Sequence, residues 1–341
     1  MDLNGKKVMI TCGGGVGDII MYTPALRRLK EKYHCHITFY TSRNYEVIEG
    51  LPYIDEIMYV PRGVFMSKFR QLHKLRDYYA IIITDWQPNV LVAAELFNIP
   101  VRAGFVRKNK FISRFYNRKL TYKWHKSLSY VGDNNAKMIS QALGVELDGD
   151  MSRCEVSYPS VADKENVDAM LLDIGITPEQ EFVVLSPFTS FILKNYPEEA
   201  CRELVCRINE KYNMPIVVIG GRGNFESAAR ISSYNLCGKT SIKEMIALIS
   251  RAKLMITADS GPMHVAGAVG TPIVAVFGKE VPERWAPKRK CWPITLHYQC
   301  SPCKDDDARN CSKNVECLRK ITADMVMDKI EEIWEKMEKS S

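Results

Sequence analysis

The sequence predicts an α/β protein made of two doubly wound, Rossmann-like domains. Two patterns support this prediction. Short runs of β-branched residues alternate with helical patterns in the first half of the chain, and the alternation restarts after a weakly periodic segment at 149–159. Such alternation is typical of parallel sheets covered by helices on both faces. A chain of 341 residues is also long enough for two domains of ordinary size.

The first domain, expected over residues 1–155, alternates strands and helices along the chain. The predicted strands are 7–11, 36–41, 56–60, 80–85 and 101–105. The predicted helices are 19–33, 65–79, 89–97 and 134–143, the last of which ends before Gly144, a residue that fits a helix C-cap. This order indicates a parallel sheet.

The second domain, expected over residues 156–341, repeats the alternation. The predicted strands are 182–186, 216–219, 254–257 and 273–277, and the predicted helices are 197–212, 225–233, 242–251, 263–269 and 323–339. Ligands of doubly wound sheets bind beyond the carboxyl ends of the strands. Two such edges facing each other would therefore form a cleft.

Composition indicates a globular protein, because 46% of the residues are hydrophobic and 26% are charged. No apolar run approaches the roughly 20 residues of a membrane-spanning helix. The first residues, MDLNGKKVMI, lack the apolar core and cleavage site of a secretory signal. We therefore expect a cytoplasmic protein, in which the scattered cysteines are reduced thiols.

The first candidate ligand loop is 13–18, GGGVGD, which follows a predicted strand and opens a helix. This context is typical of nucleotide or phosphate sites. A dinucleotide site would need glycine where Asp18 stands and an acid near the position of Arg43. A carboxylate disfavours a pyrophosphate, whereas Arg43 would suit NADP. Three interpretations stay open: an NADP-linked oxidoreductase, a catalytic Asp18, and an Asp18 that only caps or begins a helix.

Two further candidate loops lie in the second half. The segment SPFTSFILKNYPEE at 186–199 offers hydroxyl groups and Lys194, which suit a phosphate, although an ordinary loop with a solvated lysine has the same composition. The segment TADSGPMHVAGAVG at 257–270 places Asp259 and His264 around a helix opened by Gly261. Each of these two side chains alone would be structural, but together they favour a ligand site.

Formal net charge is +7, and residues 96–132 contain no acid. This stretch is rich in arginine, lysine and aromatic residues. It indicates either a solvated, tyrosine-rich surface or a binding site for an anionic partner: a phosphorylated lipid, an acidic membrane surface or nucleic acid. We favour the anionic partner. The basic residues are Arg102, Arg107, Lys108, Lys110, Arg114, Arg118, Lys119, Lys123 and Lys126.

Four cysteines cluster near the end of the chain: Cys300, Cys303, Cys311 and Cys317. Their number equals that of a four-thiolate zinc site and the first spacing fits, but the second pair is too widely spaced for a usual zinc knuckle. A metal site, a disulfide staple and unlinked thiols stay open. The acids at 305–307 are expected to be a solvated cluster, and no catalytic metal is assigned.

Five segments in this order, GGGVGDIIMYTPALRRL, LKNYPEE, GGRGNFE, CGKTSIKEMIALISRA and ADSGPMHVAGAVGTPIVAVFG, resemble glycosyltransferase family nine. This is the lipopolysaccharide heptosyltransferase family, which has the GT-B fold. The resemblance covers nearly the whole chain and is weakest over 107–130. It implies two Rossmann-like domains facing across a cleft, with an acceptor-binding domain at 1–155 and a nucleotide-sugar-binding domain at 156–341.

The resemblance also implies inverting transfer of a sugar from a nucleotide-diphosphate donor to a lipopolysaccharide-core or other lipid- or polysaccharide-linked glycan. The default donor is ADP-heptose. No cofactor and no nucleic acid are expected. The basic aromatic stretch would hold a phosphorylated or lipid-anchored acceptor, and the protein would contact the inner face of an anionic membrane peripherally. An NADP-linked oxidoreductase and a non-catalytic nucleotide- or glycan-binding protein on the same scaffold are the alternatives.

The family's site residues fall on matching positions of this chain. Asp18 matches the catalytic general base, with Gly15 and Gly17 in the loop on the acceptor side. The resemblance also assigns residues to each part of the donor. They are Thr189, Ser190 and Lys194 for the phosphates, Glu226 for the ribose, Thr240 for the base, and Asp259, Ser260, Gly261 and His264 for the diphosphate loop.

Overall fold

The computed structural model describes residues 2–61, 72–106, 110–120, 128–303 and 311–338. The chain divides into two compact units, Met1–Ser157 and Tyr158–Ser341. Each unit has a parallel sheet of its own with helices packed against it. Within the described ranges, no helix has the length and apolar character needed to cross a membrane.

The sheet of the first unit has six parallel strands in the order β3-β2-β1-β4-β5-β6. This is the strand order of the Rossmann fold, and the point where it reverses lies between β1 and β4. The strands are β1 (Lys7–Cys12), β2 (His36–Thr41), β3 (Glu56–Tyr59), β4 (Tyr78–Ile83), β5 (Val101–Phe105) and β6 (Arg118–Leu120).

Helices Val16–Ile20, Thr23–Tyr33, Pro88–Leu96, Lys110–Ser113 and Val131–Leu143 belong to the first unit. The central strands are apolar on both faces, as in other parallel sheets covered on two sides. Val8, Met9 and Ile10 of β1 are fully buried, as are Ile81 and Ile82 of β4. The two central strands therefore hold the core, and their carboxyl ends are fixed by it.

The prediction of a single helix at 19–33 is wrong. The structure has two helices here, of which the first ends at Ile20 and the second begins at Thr23. Pro24 has no N–H group to donate to the carbonyl of Ile20, four residues earlier. The Thr23 hydroxyl donates to that carbonyl instead, at 2.7 Å. The break ends the first helix at Ile20, so Asp18 lies in a helix of five residues.

The helix predicted at 65–79 is also wrong in its last part. Residues 65–71 lie outside the described part, while His73–Asp77 is a 3₁₀ helix and Tyr78 begins β4. Strand pairing with Lys7 of β1 overrides the helical pattern at Tyr78. Strand β6 and helix Val161–Asp173 were not predicted. That helix buries only two residues and so lacks a clear apolar stripe.

The second sheet has five parallel strands in the order β11-β10-β9-β7-β8, with the reversal between β7 and β9. Its strands are β7 (Val183–Ser186), β8 (Ile216–Val218), β9 (Leu254–Ala258), β10 (Ile273–Phe277) and β11 (Cys291–Thr295). The helices of this unit are Val161–Asp173, Glu198–Tyr212, Phe225–Ala229, Ile242–Arg251, Gly261–Val269, Pro282–Trp285, Glu316–Arg319 and Ala323–Glu338.

The last helix, Ala323–Glu338, is part of the second core. Ile330 and Ile333 are fully buried, and Trp334 meets the ring of Tyr212 edge to face with centroids 4.1 Å apart. Such aromatic pairs stabilise packing beyond the area that they bury. The C-terminal helix therefore covers the second sheet together with Glu198–Tyr212.

Candidate active site

Both sheets carry polar segments at the point where their strand order reverses. In the first unit these are the loop 13–18 after β1 and the segment 84–87 after β4. In the second unit they are 187–195 after β7 and 259–261 after β9. The connections of neighbouring strands leave in opposite directions at such a point, which makes a crevice for ligands.

Asp18 is the third residue of helix Val16–Ile20 and is half-buried. Its Oδ2 accepts the backbone N–H of Gly15 at 2.7 Å. The expectation that the helix begins at or after Asp18 is wrong, because it begins at Val16. An acid in a first helical turn is favoured by the exposed N–H groups there. A carboxylate has further lone pairs on both oxygens, so Asp18 can accept more hydrogen bonds, or a proton, while it keeps this capping bond.

The glycines of this loop make room for two carboxylates. A Cβ at Gly14 would lie 2.5 Å from Asp18 Oδ2, and one at Gly13 would lie 2.4 Å from Asp85 Oδ2. A side chain at Gly13 would therefore displace the Asp85 carboxylate, and one at Gly14 would displace the Asp18 carboxylate. Gly15 has more room, since its Cβ would lie 3.7 Å from Asp18 Oδ2, and Gly17 is buried in the helix.

Asp85 is a polar residue of this crevice that the sequence analysis did not identify. It follows β4, and its Oδ1 accepts the Thr11 hydroxyl at 2.5 Å while its Oδ2 accepts the Gln87 amide at 2.7 Å. The Thr84 N–H donates to the Thr11 oxygen at 3.2 Å. The signal in the sequence that could have revealed it was an acid two residues after the buried strand β4.

The carboxylates of Asp18 and Asp85 both affect the pKa of two buried side chains, Cys12 and Tyr22. Burial raises the pKa of the Cys12 thiol well above its ordinary value, and the charges of Asp18 and Asp85 raise it further while Arg43 lowers it. Burial likewise raises the pKa of Tyr22, with both acids contributing. Cys12 and Tyr22 are therefore neutral at physiological pH.

In the second unit, Lys194 and Asp259 form an ion pair across the strand reversal. Lys194 comes from the segment after β7 and Asp259 directly follows β9. The Lys194 Nζ lies 2.5 Å from Asp259 Oδ2, and the two side chains are 21% and 8% exposed. The sequence did not indicate this pair, because 65 residues separate its members. A half-buried pair of this kind fixes the position of the ammonium group.

The loop before Lys194 is shaped by Thr189. Its hydroxyl donates to the Phe191 carbonyl at 2.6 Å and accepts the Phe191 N–H at 3.0 Å, and its N–H donates to Asn195 Oδ1 at 2.7 Å. Ser190 is exposed beside it. The Thr189 hydroxyl therefore holds the loop, whereas the Ser190 hydroxyl faces outward.

Helix Gly261–Val269 begins next to the ion pair in sequence. Ser260 is its N-cap in an extended conformation, with φ of −151°, and its hydroxyl lies 3.4 Å from that of Thr257. Pro262 fits the first turn, where an N–H has no partner inside the helix. His264 is buried in this helix. The N-terminus of the helix presents N–H groups and a partial positive charge, which favour an anion.

Glu226 and Thr240 lie in the segment between β8 and helix Ile242–Arg251. Glu226 is exposed in helix Phe225–Ala229, and Thr240 is half-buried one residue before the Ser241 N-cap. The Asn235 amide donates to the Phe225 carbonyl at 2.8 Å. This bond ties the start of the helix that carries Glu226 to the segment that leads to Thr240.

The four C-terminal cysteines line one pocket of about 70 Å³ together with Leu193 and Lys279. All four are free thiols. Within the described ranges, no three histidine, cysteine or acidic side chains are arranged to hold a metal ion. The acids predicted to be a solvated cluster, 305–307, lie outside the residues that the structure describes.

The basic stretch is described only in part. Arg107, Lys108, Lys123 and Lys126 lie outside the described residues, as does the side chain of Lys110. Arg102 donates to the carbonyls of Phe115 and Ile99 and pairs with Glu95, and Arg118 donates to the Ala142 carbonyl. These two arginines are therefore part of the fold, while Arg114 and Lys119 are exposed.

Comparison with known proteins identifies the class of this protein. Residues 68–313 match the model of glycosyltransferase family 9 (heptosyltransferase), and the chain belongs to this family. It is therefore a glycosyltransferase with the GT-B fold, built from two Rossmann-like domains. The matched range includes Lys194 and Asp259 but not Asp18.

Relatives with curated names support the same family. The chain is 24% identical to lipopolysaccharide heptosyltransferase 2 of Salmonella typhimurium, over 81% of this chain and 84% of that protein. It is 28% identical to the lipopolysaccharide core heptosyltransferase OpsX of Haemophilus influenzae, over 45% of this chain. The latter match spans 48% of the length of OpsX.

Solved structures show the same fold. The family 9 glycosyl transferase from Veillonella parvula has a TM-score of 0.80 and 20% identity, with 98% of both chains covered. The ADP-heptose lipopolysaccharide heptosyltransferase II of E. coli has a TM-score of 0.74 and 20% identity, with 98% of this chain and 99% of that chain covered. The iron-containing dodecameric glycosyltransferase TibC of E. coli has a TM-score of 0.62 and 15% identity, with 99% and 78% covered.

We predict that Gly14→Ala lowers the transfer rate by about 100-fold or more. The new methyl group displaces the carboxylate of Asp18, the predicted general base, and small misplacements of a catalytic group are costly. Initial rates of sugar transfer, with circular dichroism to verify folding, measure this effect. Gly15→Ala is the matched comparison and should lose much less. Equal losses in the two variants would contradict the steric argument.

We predict that Cys317 reacts slowly with iodoacetamide at pH 8, since burial and the neighbouring cysteines raise the pKa of its thiol to about 11. Only the thiolate reacts, so the rate should rise about tenfold for each pH unit up to pH 10. Peptide mapping by mass spectrometry measures it, with exposed Cys206 as the internal reference. Fast, pH-independent labelling, or protection that a chelator removes, would contradict this prediction.

Proposed function

We propose that the chain is an inverting glycosyltransferase that moves a sugar from a nucleotide-diphosphate donor to a lipopolysaccharide-core or related lipid- or polysaccharide-linked glycan. The observation that carries the proposal is the Asp18 carboxylate, held by the Gly15 N–H at the carboxyl end of β1. The first unit would bind the acceptor and the second would bind the donor. A location in the cytoplasm, in peripheral contact with an anionic membrane, is part of the same proposal.

In this mechanism Asp18 is the general base. The acceptor oxygen attacks the anomeric carbon, its proton passes to the Asp18 carboxylate, and the bond from that carbon to the diphosphate oxygen breaks. A single displacement inverts the configuration. The Gly15 N–H holds Oδ2 at 2.7 Å, so Oδ1 is the oxygen best placed to accept the proton. The anomeric carbon gains oxocarbenium character, and the negative charge of a nearby carboxylate stabilises this positive charge.

Stabilisation of the leaving group would come from the second unit. The departing nucleoside diphosphate gains negative charge, and fixed donors aimed at such charge contribute strongly to catalysis. The Lys194 ammonium and the N–H groups at Ser260 and Gly261 are the donors that support this role. Asp259 would hold Lys194 in position, since its carboxylate lies 2.5 Å from the Lys194 Nζ.

The other residues that we expect to bind the donor differ in how exposed their side chains are. Ser190 is exposed and would bind a phosphate oxygen, whereas the Thr189 hydroxyl already bonds to Phe191 and would act by shaping the loop. Glu226 is exposed and would accept a hydrogen bond from the ribose, and Thr240 would line the base. His264 is buried and would support the diphosphate loop from within the helix.

ADP-heptose is the donor to test first, because the family description names heptosyltransferases and the E. coli heptosyltransferase II of similar fold is described as an ADP-heptose enzyme. Family membership disfavours an NADP-linked oxidoreductase. A non-catalytic binding protein is disfavoured because it would need neither Asp18 nor the Lys194–Asp259 pair.

We expect Asp18→Asn to lower transfer by at least about 100-fold while leaving donor affinity unchanged, because the amide cannot accept the proton and general bases contribute rate factors of this order. Single-turnover transfer and calorimetric titration with the donor separate the two effects. Exposed Asp173→Asn is the control and should keep normal activity. Normal turnover by Asp18→Asn would refute the base assignment.

We expect Lys194→Ala to raise the donor KM or lower kcat by about tenfold or more, because the phosphate charge loses a fixed cation. A thermal-shift panel of ADP-, GDP-, UDP- and CMP-sugars, together with NADP, first identifies the ligand that stabilises the wild type. That stabilisation should shrink in Lys194→Ala and persist in exposed Lys164→Ala. Stabilisation by NADP alone would instead favour the oxidoreductase.

A further inference from the structure

A pocket of about 320 Å³ lies within the first unit at the carboxyl edge of its sheet. Residues from four strand ends line it: Gly13 after β1, Tyr40 and Ser42 at the end of β2, Val60 after β3, and Asp85, Trp86 and Gln87 after β4. Its size falls in the range of small-molecule sites, from about 300 Å³ upward. The mechanism above uses the glycine loop next to this pocket but none of the side chains after β4.

Asp85 is oriented before any ligand binds. Thr11 and Gln87 each donate one hydrogen bond to it, at 2.5 and 2.7 Å, one to each oxygen. Each carboxylate oxygen can accept a second bond, so two acceptor sites remain in a fixed geometry. A carboxylate that only accepts hydrogen bonds selects ligands rich in hydroxyl donors. The Gln87 carbonyl and the Ser42 hydroxyl add polar groups to the same lining.

Trp86 supplies the apolar part of the pocket. It is 42% exposed although it is the largest aromatic type, and it lines the pocket together with its sequence neighbours Asp85 and Gln87. An exposed indole beside hydrogen-bonding groups offers a flat apolar face with polar partners at its edge. A pyranose ring has this combination, with C–H groups on one face and hydroxyls around the rim.

The charges around the pocket disfavour an anionic ligand. Asp85 lines the pocket, and Asp18 acts on the same buried Cys12 as Asp85 does. Arg43 is the cation that also acts on Cys12, and its side chain is exposed. Among the residues that the structure describes, two carboxylates and one solvated guanidinium thus act on this site, a balance that disfavours a phosphate or carboxylate of a ligand beside Asp85.

We propose that Asp85, Trp86 and Gln87 form the subsite for the acceptor sugar, and that the sugar ring that carries the attacking hydroxyl is neutral. This inference rests on the proposed function, since Asp18 next to the pocket would deprotonate that hydroxyl. Trp86 stacks on the ring, Asp85 accepts hydrogen bonds from two of its hydroxyls, and Gln87 orients Asp85. Any phosphate or carboxylate of the acceptor then lies outside this subsite.

The test begins with binding of simple glycosides to the full chain, measured by saturation-transfer NMR. The probes are the methyl glycosides of heptose, glucose and galactose, together with methyl glucuronide and glucose 6-phosphate. We expect the neutral glycosides to bind and the acidic ones to bind at least about tenfold more weakly. Stronger binding of the acidic probes would overturn the inference.

The variants are Trp86→Ala, Trp86→Phe and Asp85→Asn, and Tyr158→Ala is the control because Tyr158 is an exposed aromatic residue, 78% accessible, in the other unit. We expect Trp86→Ala and Asp85→Asn to raise the acceptor KM about tenfold or more, with the donor Kd and the melting temperature unchanged. Trp86→Phe should restore much of the affinity. The control should match the wild type.

Two outcomes separate this inference from the proposed function. If the wild type transfers sugar and both Trp86→Ala and Asp85→Asn keep its acceptor KM, the subsite is wrong and the proposed function stands. If the wild type binds neutral glycosides through Trp86 but neither binds nor turns over any nucleotide sugar, the pocket is a sugar-binding site and not an acceptor subsite, and the proposed function fails.

Discussion

The pairing of one central strand with neighbours on both sides determines the chemistry of each unit. β1 pairs with β2 and β4, and β7 pairs with β8 and β9, all in parallel. Because parallel strands end at the same edge, the segments that follow them must lie side by side. The glycine loop therefore meets Asp85 in the first unit, and Lys194 meets Asp259 in the second. Every residue that we assign to chemistry depends on this constraint.

The two edges differ in charge in a way that suits a displacement reaction. The first unit presents Asp18 and Asp85, which accept protons or hydrogen bonds, and it needs Gly13 and Gly14 to make space for them. The second unit presents Lys194 and the N-terminus of helix Gly261–Val269, which favour anions. In the proposed mechanism, proton removal therefore belongs to the first unit and stabilisation of the leaving group to the second.

The sequence predictions succeed where a local pattern defines the element, and they fail where a single residue or a tertiary contact overrides that pattern. Strand β2 at 36–41 and helix Ile242–Arg251 were predicted to the residue, because a run of β-branched and aromatic residues defines the first and a clear apolar stripe defines the second. The single helix predicted at 19–33 failed because Pro24 breaks the hydrogen-bond ladder. The last part of the helix predicted at 65–79 failed because pairing with β1 overrides local propensity at Tyr78. Helix Val161–Asp173 escaped detection since it buries only two residues.

The sequence by itself determined the fold class, the family and the presence of an acid in the glycine loop, because alternating apolar runs and short motifs are local properties of the chain. Tertiary structure alone decided which distant residues meet. The Lys194–Asp259 pair and the bond from Thr11 to Asp85 each join segments that folding brings together. Sequence spacing carries no record of such contacts, because the strand order that creates them is a property of the sheet.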